Sequence, residues 1–296
     1  MKVLYATDGF AAAHAASRVI TKLFRRDNTK VTVVSVTHAW SLSPEHLMVE
    51  LDPIVERRGD SHKIVDFAAT ELKEAGFEAS TLVLEGHPGH EIVKLAKDDF
   101  DVVVIGAGSH SWLGNRLLGS VSTFVLHEAP CSVLIKHESL RDDGIGRVVV
   151  GVDGSNTSDE TVRMLSSTLD PVRCEIDVVS VVPSLVPAFT PVLMGPTLPN
   201  QDLMDRAEKE MVSQAEEAVR TAARELQEAG FKTQTRVLQG GPVSALLEHA
   251  RAAQSDLVAV GSRGLGPVRR TFLGSVSDQV ARHATAAFVG RFWVQS

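Results

Sequence analysis

Two glycines and a glycine-serine pair, set at fixed spacing behind an apolar run, are the feature of this sequence best suited to chemistry. The run Leu257 to Val260 leads into Gly261-Ser262-Arg263-Gly264, and Gly274-Ser275 follows after nine intervening residues, giving G-x2-G-x9-G-S. Glycines let a backbone approach an anion closely and take up φ > 0. The first amides of a helix, with its dipole behind them, favour negative charge. The spacing predicts a helix starting near Gly274, with the hydroxyls of Ser275 and Ser277 as further donors to a phosphate. Arg263, Arg269 and Arg270 lie in the same stretch and read either as contacts to a terminal phosphate or as solvated loop residues.

The elements that must position this loop come as a repeat. Glu74-Ala75-Gly76-Phe77 returns 154 positions later as Glu228-Ala229-Gly230-Phe231, and Leu118-Gly119-Ser120-Val121-Ser122 returns 155 positions later as Leu273 to Ser277. Asp8-Gly9 answers Asp153-Gly154 at an offset of 145. Matches that keep their order mark a tandem duplication. They predict domains over 1–140 and 146–296, joined through the polar, glycine-containing stretch Glu138 to Arg147.

Within each copy the apolar pattern alternates. Lys2 to Thr7, Thr32 to Thr37, Asp101 to Gly106 and Leu257 to Val260 are short and almost continuously apolar, as parallel strands buried on both faces are. Ala11 to Phe24, Lys63 to Ala75 and Ala207 to Ala229 place apolar residues three and four apart, as amphipathic helices do, and the last ends at Gly230. Such alternation predicts an α/β fold of two tandem doubly wound domains, each a five-stranded parallel sheet flanked by helices. Ligands of that architecture sit beyond the carboxyl ends of the strands.

The glycine loop, its place between a fourth strand and a fourth helix, and the aspartate after the first strand together resemble the ATP-binding signature of the universal stress protein family. The likeness covers nearly the whole chain. It implies that Asp153 faces the adenosine, that Val181 flanks the adenine, and that Val260 precedes a loop in which Gly261, Gly264, Gly274, Ser275, Val276 and Ser277 hold ribose and phosphates. ATP, free or as its Mg²⁺ complex, is the implied ligand. The first copy retains Asp8, Val36, Gly106, Gly119, Ser120 and Ser122 but has Ser109 where the second glycine belongs, with Gly108 displaced by one. A Cβ there blocks a phosphate, or a serine hydroxyl donates to it; both readings stay open. Family members pair their domains through the last strands, and a tandem chain makes that pairing internally, with a homodimer as a further option. Gly290 and Arg291 in the run Ala286 to Trp293 predict weaker pairing there than along Ser132 to Lys136.

Other features narrow the function. A net charge of −7 without a basic cluster argues against nucleic acid as partner. Asp8 and Gly9 cut off the first apolar run before it could act as a signal peptide, and no apolar stretch is long enough to span a bilayer, so no membrane association is expected. Two cysteines outside any CxxC spacing suit a reducing compartment, read as the cytoplasm, with Cys131 a small buried residue. His87-x2-His90 lacks partners for a metal set. Pro183 to Pro199 carries five prolines and reads as a connecting loop, a lid or a contact surface for a protein partner. No GxxxxGK[ST] loop and no GxSxG elbow is present. The leading reading is an ATP-dependent stress sensor or regulator with slow or absent hydrolysis. Its rivals are a nucleotide-free interaction module and an ATP-using enzyme of the adenine-binding α/β group.

Overall fold

The computed structural model describes residues 1–37, 52–108, 118–137, 146–183, 201–264 and 273–291. Ser109, Arg269, Arg270, Trp293, most of the Glu138 to Arg147 seam and the proline-rich segment beyond Pro183 lie outside them. The first half runs β1 (Lys2–Ala6), α1 (Ala11–Leu23), β2 (Lys30–Thr37), α2 (Asp52–Glu74), β3 (Glu78–Glu85), α3 (Pro88–Ala96), β4 (Val102–Gly106), α4 (Ser120–Glu128) and β5 (Ser132–Lys136). The second repeats it as β6 (Gly146–Gly151), α5 (Asn156–Thr168), β7 (Cys174–Val182), α6 (Gln201–Glu228), β8 (Lys232–Gln239), α7 (Pro242–Ala252), β9 (Leu257–Gly261), α8 (Ser275–His283) and β10 (Ala286–Gly290).

Among the described residues, ten strands form one sheet in the order β3-β2-β1-β4-β5-β10-β9-β6-β7-β8. Pairing is parallel within each half, and the two halves meet through the antiparallel pair β5 and β10, with Leu134 opposite Phe288. Strand side chains alternate between the faces. Val3 and Tyr5 enter one core with α1 and α2, while Leu4 and Ala6 enter the other with α3 and α4. Burial on both faces is why the strands read as continuous apolar runs. Among the described residues no helix is long and apolar enough to cross a membrane.

Two expectations change. Helices α2 and α6 begin at Asp52 and Gln201, well before Lys63 and Ala207. Their opening turns, such as Asp202-Leu203-Met204-Asp205-Arg206, are rich in charge, so apolar spacing does not mark them. The two last strands are not separate edges of unequal strength: each is the other's partner, and every residue of both is buried. Gly290 lets Thr161 of α5 pack where a Cβ would stand. Arg291 then reaches across the seam, donating from its guanidinium to the carbonyls of Leu126, His127 and Ala129 at 2.6–2.9 Å, so it caps the carboxyl end of α4. The same seam carries reciprocal main-chain bonds from Arg25 to Thr168 and from Asp170 to Leu23.

Candidate functional site

At the carboxyl ends of β6, β7 and β9 lies a cavity of about 320 Å³. Its lining includes Asp153, Val181, Val260, Gly261, Gly264, Gly274, Ser275, Val276 and Ser277, together with Arg263, while Arg269 and Arg270 lie outside the described residues. The strand order explains this: β6 lies between β7 and β9, and their ends converge where the winding reverses.

Each turn is built locally. After β6, Gly154 takes φ +74°, and the Asp153 carboxylate accepts the Ser155 amide at 3.0 Å through Oδ1. Ser155 caps α5, its hydroxyl oxygen accepting the Ser158 amide at 3.3 Å. Gly261 closes β9 against that helix: a Cβ there would lie 3.0 Å from the Thr157 carbonyl group and 3.1 Å from the Ser158 nitrogen. A Cβ on Gly264 would lie 2.5 Å from Oδ2 of Asp153. Glycine is needed at the first position for backbone packing and at the second for a carboxylate.

Gly274 caps α8 with extended backbone, φ −70° and ψ 152°, and its amide donates to the Ser262 carbonyl at 2.8 Å. The next amides, of Ser275, Val276 and Ser277, belong to the first turn and have no partner within the helix. They form a helix end that faces the cavity, the kind of position that favours an anion. One expectation is corrected here. The Ser277 hydroxyl points back into the protein, 3.0 Å from the Ser262 carbonyl and 2.8 Å from that of Gly274, and is buried. Its single hydrogen fixes the loop, leaving Ser275 to offer a hydroxyl. Asp278, in the same turn, is held below the usual carboxylate range chiefly by hydrogen bonds from Arg282, against an opposing effect of burial, with His127 of the first half at 3.4 Å.

Sequence reasoning passed over Pro242, Leu246 and Val179, which also line the cavity. Pro242 opens α7, where proline suits a first helical turn, and Leu246 follows four residues on; that pairing was the available signal. Thr157, whose hydroxyl donates to the Arg263 carbonyl, had none.

The first half repeats the frame. Gly9 takes φ +79°, Asp8 accepts the Phe10 amide at 3.0 Å, and Gly106 meets the backbone of Ala12 and Ala13. Gly119 caps α4, which begins at Ser120, and the buried Ser122 hydroxyl donates to the Ala107 carbonyl at 2.7 Å. Val36 lies on β2, half-buried against the same core as its counterpart Val181. A larger hollow of about 520 Å³ beside α1 is lined by none of the predicted residues and contains the Lys22 and Asp256 ion pair.

The remaining candidates are structural. Burial pushes the thiols of Cys131 and Cys174 up to about 12, so neither is a ready nucleophile. His87 and His90 stack edge to face with ring centroids 5.0 Å apart, and among the described residues no group of three or more His, Cys, Asp or Glu is placed to hold a metal.

Comparison with known proteins bears on the family and the fold. The sequence profile of the universal stress protein family matches residues 1–137 and again 144–289. A universal stress protein of Mycobacterium tuberculosis is 29% identical over 295 residues, covering 93% of each chain. One from Mycolicibacterium smegmatis is 34% identical over 192 residues, covering 64% of this chain and 61% of that one. The crystal structure of a universal stress protein from Archaeoglobus fulgidus superposes with a TM-score of 0.63 at 22% identity, covering 98% of both chains, a likeness of fold.

Proposed function

This chain belongs to the universal stress protein family, and from that premise we propose that its second half binds ATP and that the chain acts as a nucleotide-dependent regulator in the stress response. The observation that carries the reading is the convergence of a glycine-lined cavity, an open helix N-terminus and a buried apolar wall at one point. Val179, Val181, Leu246 and Val260 supply that wall, suited to a planar base. Asp153 sits where a carboxylate would accept from a ribose hydroxyl, and the amides of Ser275, Val276 and Ser277 would receive the phosphates. Among the described residues the cavity lining holds one carboxylate, so Mg²⁺ would arrive with the phosphates rather than be gripped by the chain.

Regulation rather than turnover is supported by the same lining. It offers no lysine or histidine among the described residues, and its one acid is tied to the Ser155 amide. ATP thus serves as a ligand or a very slow substrate. The two buried free thiols support a reducing, cytoplasmic setting. A protein partner, or a second copy of the chain, would read the loaded state.

Calorimetric titration of the full chain with ATP, with and without Mg²⁺, tests the reading against Gly264→Glu, which would set a second carboxylate beside Asp153. Saturable binding lost in the variant is expected. No ATP binding to the wild type would favour a nucleotide-free interaction module, and phosphate or pyrophosphate release at about 1 s⁻¹ or faster would favour an enzyme.

A further inference from the structure

We propose that Thr157 is a positioning residue for this site: its hydroxyl holds the Arg263 carbonyl on the first turn of α5, which keeps the N-terminus of α8 open to a phosphate. Among the described residues the first half has no such clip, Ala12 standing in the place of Thr157, so the chain binds one nucleotide rather than two. The inference rests on the ATP reading above and concerns which half provides the site.

The two loops share their contacts as far as the residue after the strand-ending glycine. Gly106 and Gly261 each end a strand against the second residue of a helix, Ala12 in α1 and Thr157 in α5. The next residue, Ala107 or Ser262, accepts the amide of the capping glycine at 2.8 Å and the hydroxyl of Ser122 or Ser277. The paths part at the following residue. In the second half this is Arg263, whose carbonyl accepts the Thr157 hydroxyl. With its hydrogen committed there, the Thr157 oxygen accepts from Ser155, 3.1 Å away, which ties the clip to the cap of α5. The nearest atoms to a Cβ built on Gly274 are then the Ser262 carbonyl at 3.3 Å, the Ser277 hydroxyl at 3.4 Å and the Arg263 Cα at 3.5 Å.

In the first half the corresponding residue is Gly108, and Ala12 has no hydroxyl to hold it. Gly108 takes φ +53°, a conformation that glycine adopts without strain and arginine does not. Its carbonyl oxygen turns the other way and lies against Gly119, in the space a Cβ there would fill. A carbonyl oxygen carries the negative end of the peptide dipole, so a phosphate approaching the first amides of α4 would meet like charge and a filled position. The residue types at two positions thus separate the halves: threonine with arginine leaves the helix end open, and alanine with glycine covers it.

Calorimetry of the full chain with ATP reads both parts, using wild type, Thr157→Val and Thr157→Ser. The wild type is expected to bind about one ATP per chain. Thr157→Val, which keeps shape and removes the hydroxyl, should weaken binding about tenfold, the scale of one lost hydrogen bond. Thr157→Ser restores the hydroxyl and should stay within about twofold of wild type, which a role in packing alone would not produce. Two ATP per chain would overturn the inference while leaving the ATP reading intact. Wild-type affinity in Thr157→Val, or equal loss in Thr157→Ser, would also overturn it. No ATP binding to the wild type would remove the nucleotide reading and this inference with it.

Discussion

A single methyl group added at Gly261 or at Gly264 should separate folding from ligand binding, because the two meet different neighbours. In Gly261→Ala the new Cβ lands 3.0 Å from the Thr157 carbonyl group and 3.1 Å from the Ser158 nitrogen. These are backbone atoms in the first turn of a helix packed in the core, so the turn must shift, at about 1–3 kcal/mol for overpacking. At roughly 2–4 °C per kcal/mol for a large domain, the melting temperature should fall by several degrees. In Gly264→Ala the Cβ lands 2.5 Å from Oδ2 of Asp153, the far end of a side chain that can rotate away. That rotation forfeits the bond to the Ser155 amide, about 1 kcal/mol, and the lost chain entropy of the unfolded state offsets about 0.4–1 kcal/mol of it. Stability should stay within about 1 kcal/mol of wild type. ATP affinity, however, should drop about tenfold or more, since the displaced carboxylate is the group assigned to the ribose. Differential scanning calorimetry without ligand and titration with ATP make the comparison. Equal destabilisation by the two substitutions would refute the packing argument, and undiminished ATP binding by Gly264→Ala would refute the role of Asp153.

Three other outcomes follow from the seam, the helix ends and the thiols. Arg291→Met leaves the carbonyls of Leu126, His127 and Ala129 without their guanidinium donor and should lower the unfolding free energy by about 2–4 kcal/mol in urea titration; a loss below about 0.5 kcal/mol would contradict the capping role. The Asp278 carboxyl is depressed in the folded chain chiefly by Arg282, so its contribution is present above the unfolded value of about 4 and disappears as pH falls through the lower folded value. Thermal melts of Asp278→Asn should therefore show a deficit of about 0.5–1 kcal/mol at pH 7 that closes in acid, and a deficit independent of pH would contradict this. Because burial pushes both thiols up to about 12, an aromatic disulfide reagent at pH 8 should label neither cysteine rapidly in the native chain and both after unfolding.

Much of the fold was legible because its signals are local. Val148, Val149 and Val150 alternate between two cores, so a strand buried on both faces reads as an unbroken apolar run. The glycine loop was legible for the same reason: Gly261, Gly264 and Gly274 sit within one short segment whose spacing survives in sequence. What the sequence withheld depends on partners far along the chain. Arg291 looked like a weak point in a strand until its contacts with α4, more than 160 positions away, showed it to be a cap. The Ser277 hydroxyl looked like a phosphate donor, and only the folded loop aims it at Ser262. Thr157 carries no signal of its own, since its meaning lies in the carbonyl of a residue 106 positions later.

Amide-resolved NMR of the full chain during ATP titration tests most directly whether the first turn of α8 receives the phosphates of ATP. Saturable shifts of the Ser275, Val276 and Ser277 amides are expected, with those of Ser120, Val121 and Ser122 in the first half unmoved. Saturation by ATP that leaves the α8 amides in place, or that moves the α4 amides instead, would contradict that assignment.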